Sequence, residues 1–105
     1  MLFDDNYQCD NDWWRINTGG ENMYKDLKDT ANDMCSTNYK ERFIAEYWQA
    51  VIRYEKLKNM LNRWDNFELN FNPTCPRSTY NLQIKAMTDY IAVLEARAVM
   101  ENIDL

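Results

Sequence analysis

Residues 39–65 read YKERFIAEYWQAVIRYEKLKNMLNRWD, a run with no glycine or proline. Within it Phe43, Tyr47, Val51, Tyr54, Leu57, Leu61 and Trp64 recur at steps of three or four, which places them on one stripe of an α-helix. Asn38, with Glu41 three positions on, has the form of a capping box in which Asn replaces the usual Ser or Thr. At 1.5 Å per residue this helix is a rod of ~40 Å. Ile44, Trp48 and Ile52 form a second stripe beside the first, so the helix is apolar over more width than one partner helix covers. Either the upstream segment or another subunit must pack there.

Downstream, Asn66 to Cys75 alternates Phe67, Leu69 and Phe71 with polar residues, and Pro73 forbids continuation of the helix. This is a connection with apolar anchors. Pro76 at the first helical position, preceded by Thr74 or Cys75 as cap, then opens a second helix over about 76–101. Tyr80, Ile84, Met87, Ile91, Leu94 and Ala98 make its seam, and two long helices joined by so short a connection pack antiparallel. Upstream, Met23, Leu27, Ala31 and Met34 are spaced for a short helix over about 21–34, after the break at Gly19-Gly20. Residues 1–18 hold Phe3, Tyr7, Trp13, Trp14 and Ile16 among acids and amides, and read equally as a strand, a loop on the helices, or an arm ordered by a partner. The expected fold is therefore all-α: a long antiparallel two-helix hairpin (39–105) with a short N-terminal helix and an acidic, irregular or extended N-terminal arm (together 1–38).

The chain's 105 residues allow one modest core, and 46% apolar and 14% aromatic residues suffice to form it. Histidine is absent, which removes serine-triad, cysteine–histidine and common zinc-hydrolase chemistry. No motif names a catalytic activity, a metal set or a cofactor; Gly19-Gly20 lacks the spaced glycines of a phosphate loop, and Asp4-Asp5 or Asp10 with Asp12 lacks the pattern of a calcium loop. Three cysteines, Cys9, Cys35 and Cys75, without a C-x-x-C pair point to a reducing compartment and free thiols, with a Cys9–Cys35 bridge as the alternative. With no apolar run near ~18 residues and no leader pattern, neither a membrane span nor secretion is expected.

Charge is segregated: residues 1–38 carry eight acids against three bases, a net −5, whereas residues 39–105 carry nine of each. Duplex nucleic acid is thereby disfavoured as a direct partner. An acidic arm can instead occupy a basic groove on another protein, including one that ordinarily holds nucleic acid. Asp4, Asp5, Asp10, Asp12, Trp13, Trp14 and Arg15 are the candidate partner-binding residues, since adjacent Trp side chains cannot share one side of a strand and exposed Trp and Arg anchor interfaces. Ile44, Trp48 and Ile52 are the candidate oligomer or packing stripe. Thr74, Arg77 and Ser78, at a helix start with free backbone N–H groups, form an alternative anion site.

Tyr39-Lys40-Glu41-Arg42-Phe43 through Tyr54-Glu55-Lys56-Leu57, then Phe71-Asn72-Pro73-Thr74-Cys75-Pro76, then Gln83 to Met87, Tyr90 to Ala98 and Glu101 to Leu105, resembles small crAss-phage-related proteins of phages and prophages of gut bacteria. The Pro-Thr-Cys-Pro segment and the Leu-Glu-x-Arg-Ala end are its most specific pieces, and Asn102 stands where that family has Gly. The resemblance implies a non-enzymatic counter-defence protein in the cytoplasm of the bacterial host. On this reading the acidic aromatic arm binds a bacterial defence protein, as anti-CRISPR inhibitors do. The alternatives are an oligomeric sponge that sequesters cyclic-nucleotide immune signals, and a dimerising structural phage protein.

Overall fold

The computed structural model describes residues 24–105, and among them all regular structure is α-helical. The helices are α1, Leu27–Met34, α2, Tyr39–Asp65, and α3, Arg77–Glu101. Cross-contacts fall in index on α3 as they rise on α2: Tyr39 meets Glu101, Tyr47 meets Glu95, Tyr54 meets Thr88 and Asp65 meets Arg77. The two long helices therefore run antiparallel.

Local chemistry fixes each helix end. The short helix begins at Leu27, later than the periodicity suggests, because Asp26 is extended (φ −153°) and accepts from the Lys28 N–H. Asp29 returns the bond by accepting from the Asp26 N–H at 3.1 Å, which closes a reciprocal cap. At the start of α2, Asn38 accepts from the Lys40 N–H at 2.9 Å. The expected box does not close, because Glu41 accepts instead from the Ser36 hydroxyl. Pro76 is the N-cap residue of α3 and not its first helical residue; its fixed φ of −62° suits either position, and no side chain caps this end.

Both long helices finish with the same wrapped turn. At the end of α2, Phe67 N–H donates to the Trp64 carbonyl and Glu68 N–H to the Arg63 carbonyl; at the end of α3, Asn102 N–H reaches Val99 and Ile103 N–H reaches Ala98. Each turn needs one left-handed residue, and these are Phe67 (φ 60°) and Asn102 (φ 57°). The left-handed turn throws Phe67 out to 96% exposure, so it is not the anchor that its alternation with Leu69 and Phe71 suggested. Leu69 and Phe71 do pack, half-buried, against the core.

Three apolar clusters hold the chain together. Phe43, Tyr47 and Ala50 of α2 meet Leu94, Ala98 and Ile103 at one end of the pair, and Leu57, Met60 and Leu61 meet Tyr80 at the other. The third cluster settles the second stripe of α2: Ile52 is buried against Tyr24, with Leu27, Ile44 and Trp48 packed around them. Within the chain, then, Leu27 of α1 and Tyr24 upstream of it lie on that stripe.

Candidate functional site

Between the two end clusters the α2–α3 seam opens. A cavity of about 310 Å³, open to solvent, is lined by Tyr47, Val51, Tyr54 and Glu55 of α2 and by Thr88, Ile91, Ala92 and Glu95 of α3. The sequence places these residues by the heptad: Tyr47 and Tyr54 are seven apart, as are Thr88 and Glu95, so each pair shares one helix face. Where the ends of the seam use Phe, Leu and Ile, its middle uses tyrosine and threonine against alanine. Side chains that carry a polar tip on an apolar body leave the seam wet at that level.

The wall is rich in acceptors. Tyr47 donates its hydroxyl to Glu95 Oε2 at 2.7 Å, and burial together with this carboxylate pushes the phenol well above its ordinary range. Thr88 Oγ1 donates to the Ile84 carbonyl at 2.8 Å and lies 3.2 Å from Tyr54 Oη. Glu55 is half-buried, and its Oε2 atom is buried without a hydrogen-bond partner. Burial raises the Glu55 carboxyl above the usual carboxylate range, and the nearby Lys58 ammonium offsets part of that rise. Lys58 Nζ stands 5.0 Å from the centre of the Tyr54 ring. The groove thus combines two carboxyl groups, three hydroxyls, an apolar floor and one cation at its edge. It suits a flat ligand that presents N–H or O–H donors.

The two ends of the helix pair are closed by ion pairs stacked on aromatic rings. At one, Arg97 lies 4.8 Å from the Phe43 ring and bonds both Tyr39 Oη and Glu101, while Tyr39 donates to Glu101 Oε1 at 2.6 Å. Tyr90 donates to Glu46 nearby, and burial plus that carboxylate pushes its phenol up to about 12. At the other, Arg77 forks onto both oxygens of Asp65 at 3.2 Å, bonds Asn81 at 2.6 Å and lies 6.0 Å from the Trp64 ring. Arg77 holds the Asp65 carboxyl below its usual range.

Of the residues singled out from sequence, Asp4, Asp5, Asp10, Asp12, Trp13, Trp14 and Arg15 lie outside the described residues, as does Cys9. Ile44, Trp48 and Ile52 sit together under Tyr24 and Leu27. Thr74, Arg77 and Ser78 are near one another in sequence, but Arg77 bonds its guanidinium to Asp65 and Asn81. Cys35 and Cys75 carry free thiols. Among the described residues no cluster of acidic or thiol ligands is arranged for a metal, and no helix is long and apolar enough to cross a membrane.

These features define a class: a helical protein in which an antiparallel pair encloses an acceptor-rich groove. The Sequestin family profile matches residues 37–100, more than half of the chain, and the chain belongs to that family. Neither a curated protein nor a solved structure matches it. The matched segment contains α2, the connection and nearly all of α3, and therefore every residue of the groove.

Proposed function

We propose that this chain is a non-enzymatic sequestering protein, a sponge that holds a cyclic-nucleotide immune signal and so keeps it from its receptor. The observation that carries the reading is the family match itself, which falls on the helix pair and leaves out residues 1–36. What the family shares is then a property of the helices. An inhibitor acting through Asp4 to Arg15 would place its binding surface outside the shared segment, so the sponge reading is preferred to the anti-CRISPR-like one. A phage or prophage origin and action in the bacterial cytoplasm go with this proposal, because the signal is made and read there.

The groove supplies a physical route. Its 310 Å³ is at the small end of ligand-binding pockets, enough for a base with part of its sugar. Glu55 and Glu95 would accept from a base amine or ribose hydroxyls, Tyr54 would lie against the base, and Lys58 at the edge would face a phosphate held outside the carboxylates. A sponge needs no general base or nucleophile; it needs affinity and slow release. Titration calorimetry of the full chain against a panel of cyclic mono- and dinucleotides tests this. One member should bind in the micromolar range or tighter and be recovered chemically unchanged, and Tyr54→Ala should weaken it at least tenfold, about 1.4 kcal/mol. No binding across the panel, or binding indifferent to Tyr54→Ala and Glu95→Gln alike, would remove the groove from the function.

A further inference from the structure

Helix α3 is apolar on the side turned away from α2 as well as on the side that packs. Leu82, Ala86, Asp89, Val93, Ala96 and Met100 recur at steps of 4, 3, 4, 3 and 4, and all six are exposed, Leu82 to 71%, Val93 to 55% and Met100 to 73%. A helix that carries an apolar stripe on each of two sides ordinarily has both covered. We propose that this outer face of α3 is the surface through which two copies of the chain associate, antiparallel, about a two-fold axis level with Ile91.

The occupant follows from the order of side-chain sizes along the seam. With the axis at that level, Leu82 meets Met100 of the second copy, Ala86 meets Ala96, and Asp89 meets Val93. Large residues close both ends, an alanine lies next in from each, and Asp89 with Val93 holds the centre, so the order of sizes reads alike in both directions, as an isologous interface requires. Beside the axis Ala92 approaches Ala92 of the second copy, which lets the backbones come close. A parallel pairing would set Asp89 against Asp89; the antiparallel one separates them, and each is already paired with its own Lys85 at 3.0 Å. Net charge does not oppose the contact: α3 carries Arg77, Lys85 and Arg97 against Asp89, Glu95 and Glu101, and is neutral, whereas the excess of acid lies in residues 1–38. In this register Lys85 comes level with Arg97 of the second copy, but the two lie on opposite edges of the strip and each is already paired in its own chain, Lys85 with Asp89 and Arg97 with Glu101.

The strip from Leu82 to Met100 is ~27 Å long and ~10 Å wide, a footprint of about 270 Å² per copy. Two such footprints, about 540 Å² in all, are far below an obligate interface and suit only a weak, reversible dimer. Self-association on this face goes beyond the ligand reading, and its test uses no nucleotide, so either can fail alone. Sedimentation velocity of the full chain, from low to several hundred micromolar, should show the mass rising from 12.7 kDa toward twice that value. Val93→Glu, a change at an exposed position, should hold the mass at the monomer value with unchanged helical circular dichroism. Ala92→Cys, made with the native cysteines replaced by Ser, should form a covalent dimer on mild oxidation. A monomer at every concentration would give the face to residues 1–23 or to another protein and overturn the proposal; so would a dimer that Val93→Glu leaves intact and Ala92→Cys fails to cross-link.

Discussion

Along α3 the inner seam of Tyr80, Ile84, Met87, Ile91, Leu94 and Ala98 and the outer seam of Leu82, Ala86, Asp89, Val93, Ala96 and Met100 step through the helix at the same spacing. The first closes on α2, and Leu94 is fully buried there; the second faces solvent, and Val93, its neighbour in sequence, is 55% exposed. Periodicity therefore counts the seams on a helix without saying which of them the chain itself fills. Side-chain volume breaks the tie. The inner seam offers an aromatic, two isoleucines and a leucine to a long apolar partner, while the outer one has alanine at two of its six positions and a carboxylate at a third.

The largest expected effect tests that contrast directly. Leu94→Ala should cost about 2–5 kcal/mol in urea unfolding, since it empties a fully packed site. Val93→Ala, measured in dilute solution, should stay within about 0.5 kcal/mol. Equal losses would mean that the outer seam is filled within one chain. A second comparison concerns the two wrapped helix ends, which share a geometry but not a residue. Asn tolerates the left-handed region and Phe does not, so Phe67→Gly should stabilise the chain by about 1 kcal/mol, with Asn102→Gly changing it by only a few tenths. A loss on Phe67→Gly would show that the exposed ring makes a contact worth more than the strain.

The smallest effect compares the closed ends of the α2–α3 seam with its open middle. Burial raises the Glu55 carboxyl, so the folded chain binds its proton more tightly than the unfolded chain does. Stability then falls as pH rises from the ordinary carboxylate range through the raised value, and the penalty persists above it. Glu55→Gln should raise the melting temperature slightly at pH 7 and lose that advantage below about pH 4. An advantage that is constant with pH would trace the gain to packing and not to the buried charge. Asp65, held low by Arg77 at a closed end, behaves in the opposite sense, and its contribution fades in acid.

Much of the architecture was legible. The bounds of α2 follow from Asn38 and the unbroken stripe, and the end of α3 follows from Asn102 standing in for Gly. The late start of α1 was also present in the sequence, as Asp26 three residues before Asp29, but Asp is a less familiar return partner than Glu or Gln. The groove left a fainter trace. Tyrosines at two successive heptad positions, facing Thr88 and Glu95 at the same interval, mark a seam that is partly wet. Read one helix at a time, Tyr47 and Tyr54 are merely members of a stripe, and Glu55 and Glu95 are surface charges.

By itself the sequence determined the local events: where helices start and stop, how many apolar faces each carries, and that acid is concentrated before residue 39. These depend on neighbours three or four positions apart, and backbone hydrogen bonding and rotamer sterics decide them within a few turns. Only the tertiary structure decided which faces meet. That α1 covers Ile44, Trp48 and Ile52, that Arg77 is neutralised by Asp65 twelve residues back, and that Glu55 loses water beside Tyr54 all depend on how helices are laid against each other. Burial and the electrostatics that follow from it belong to pairs of surfaces, and a linear pattern specifies each surface without naming its mate.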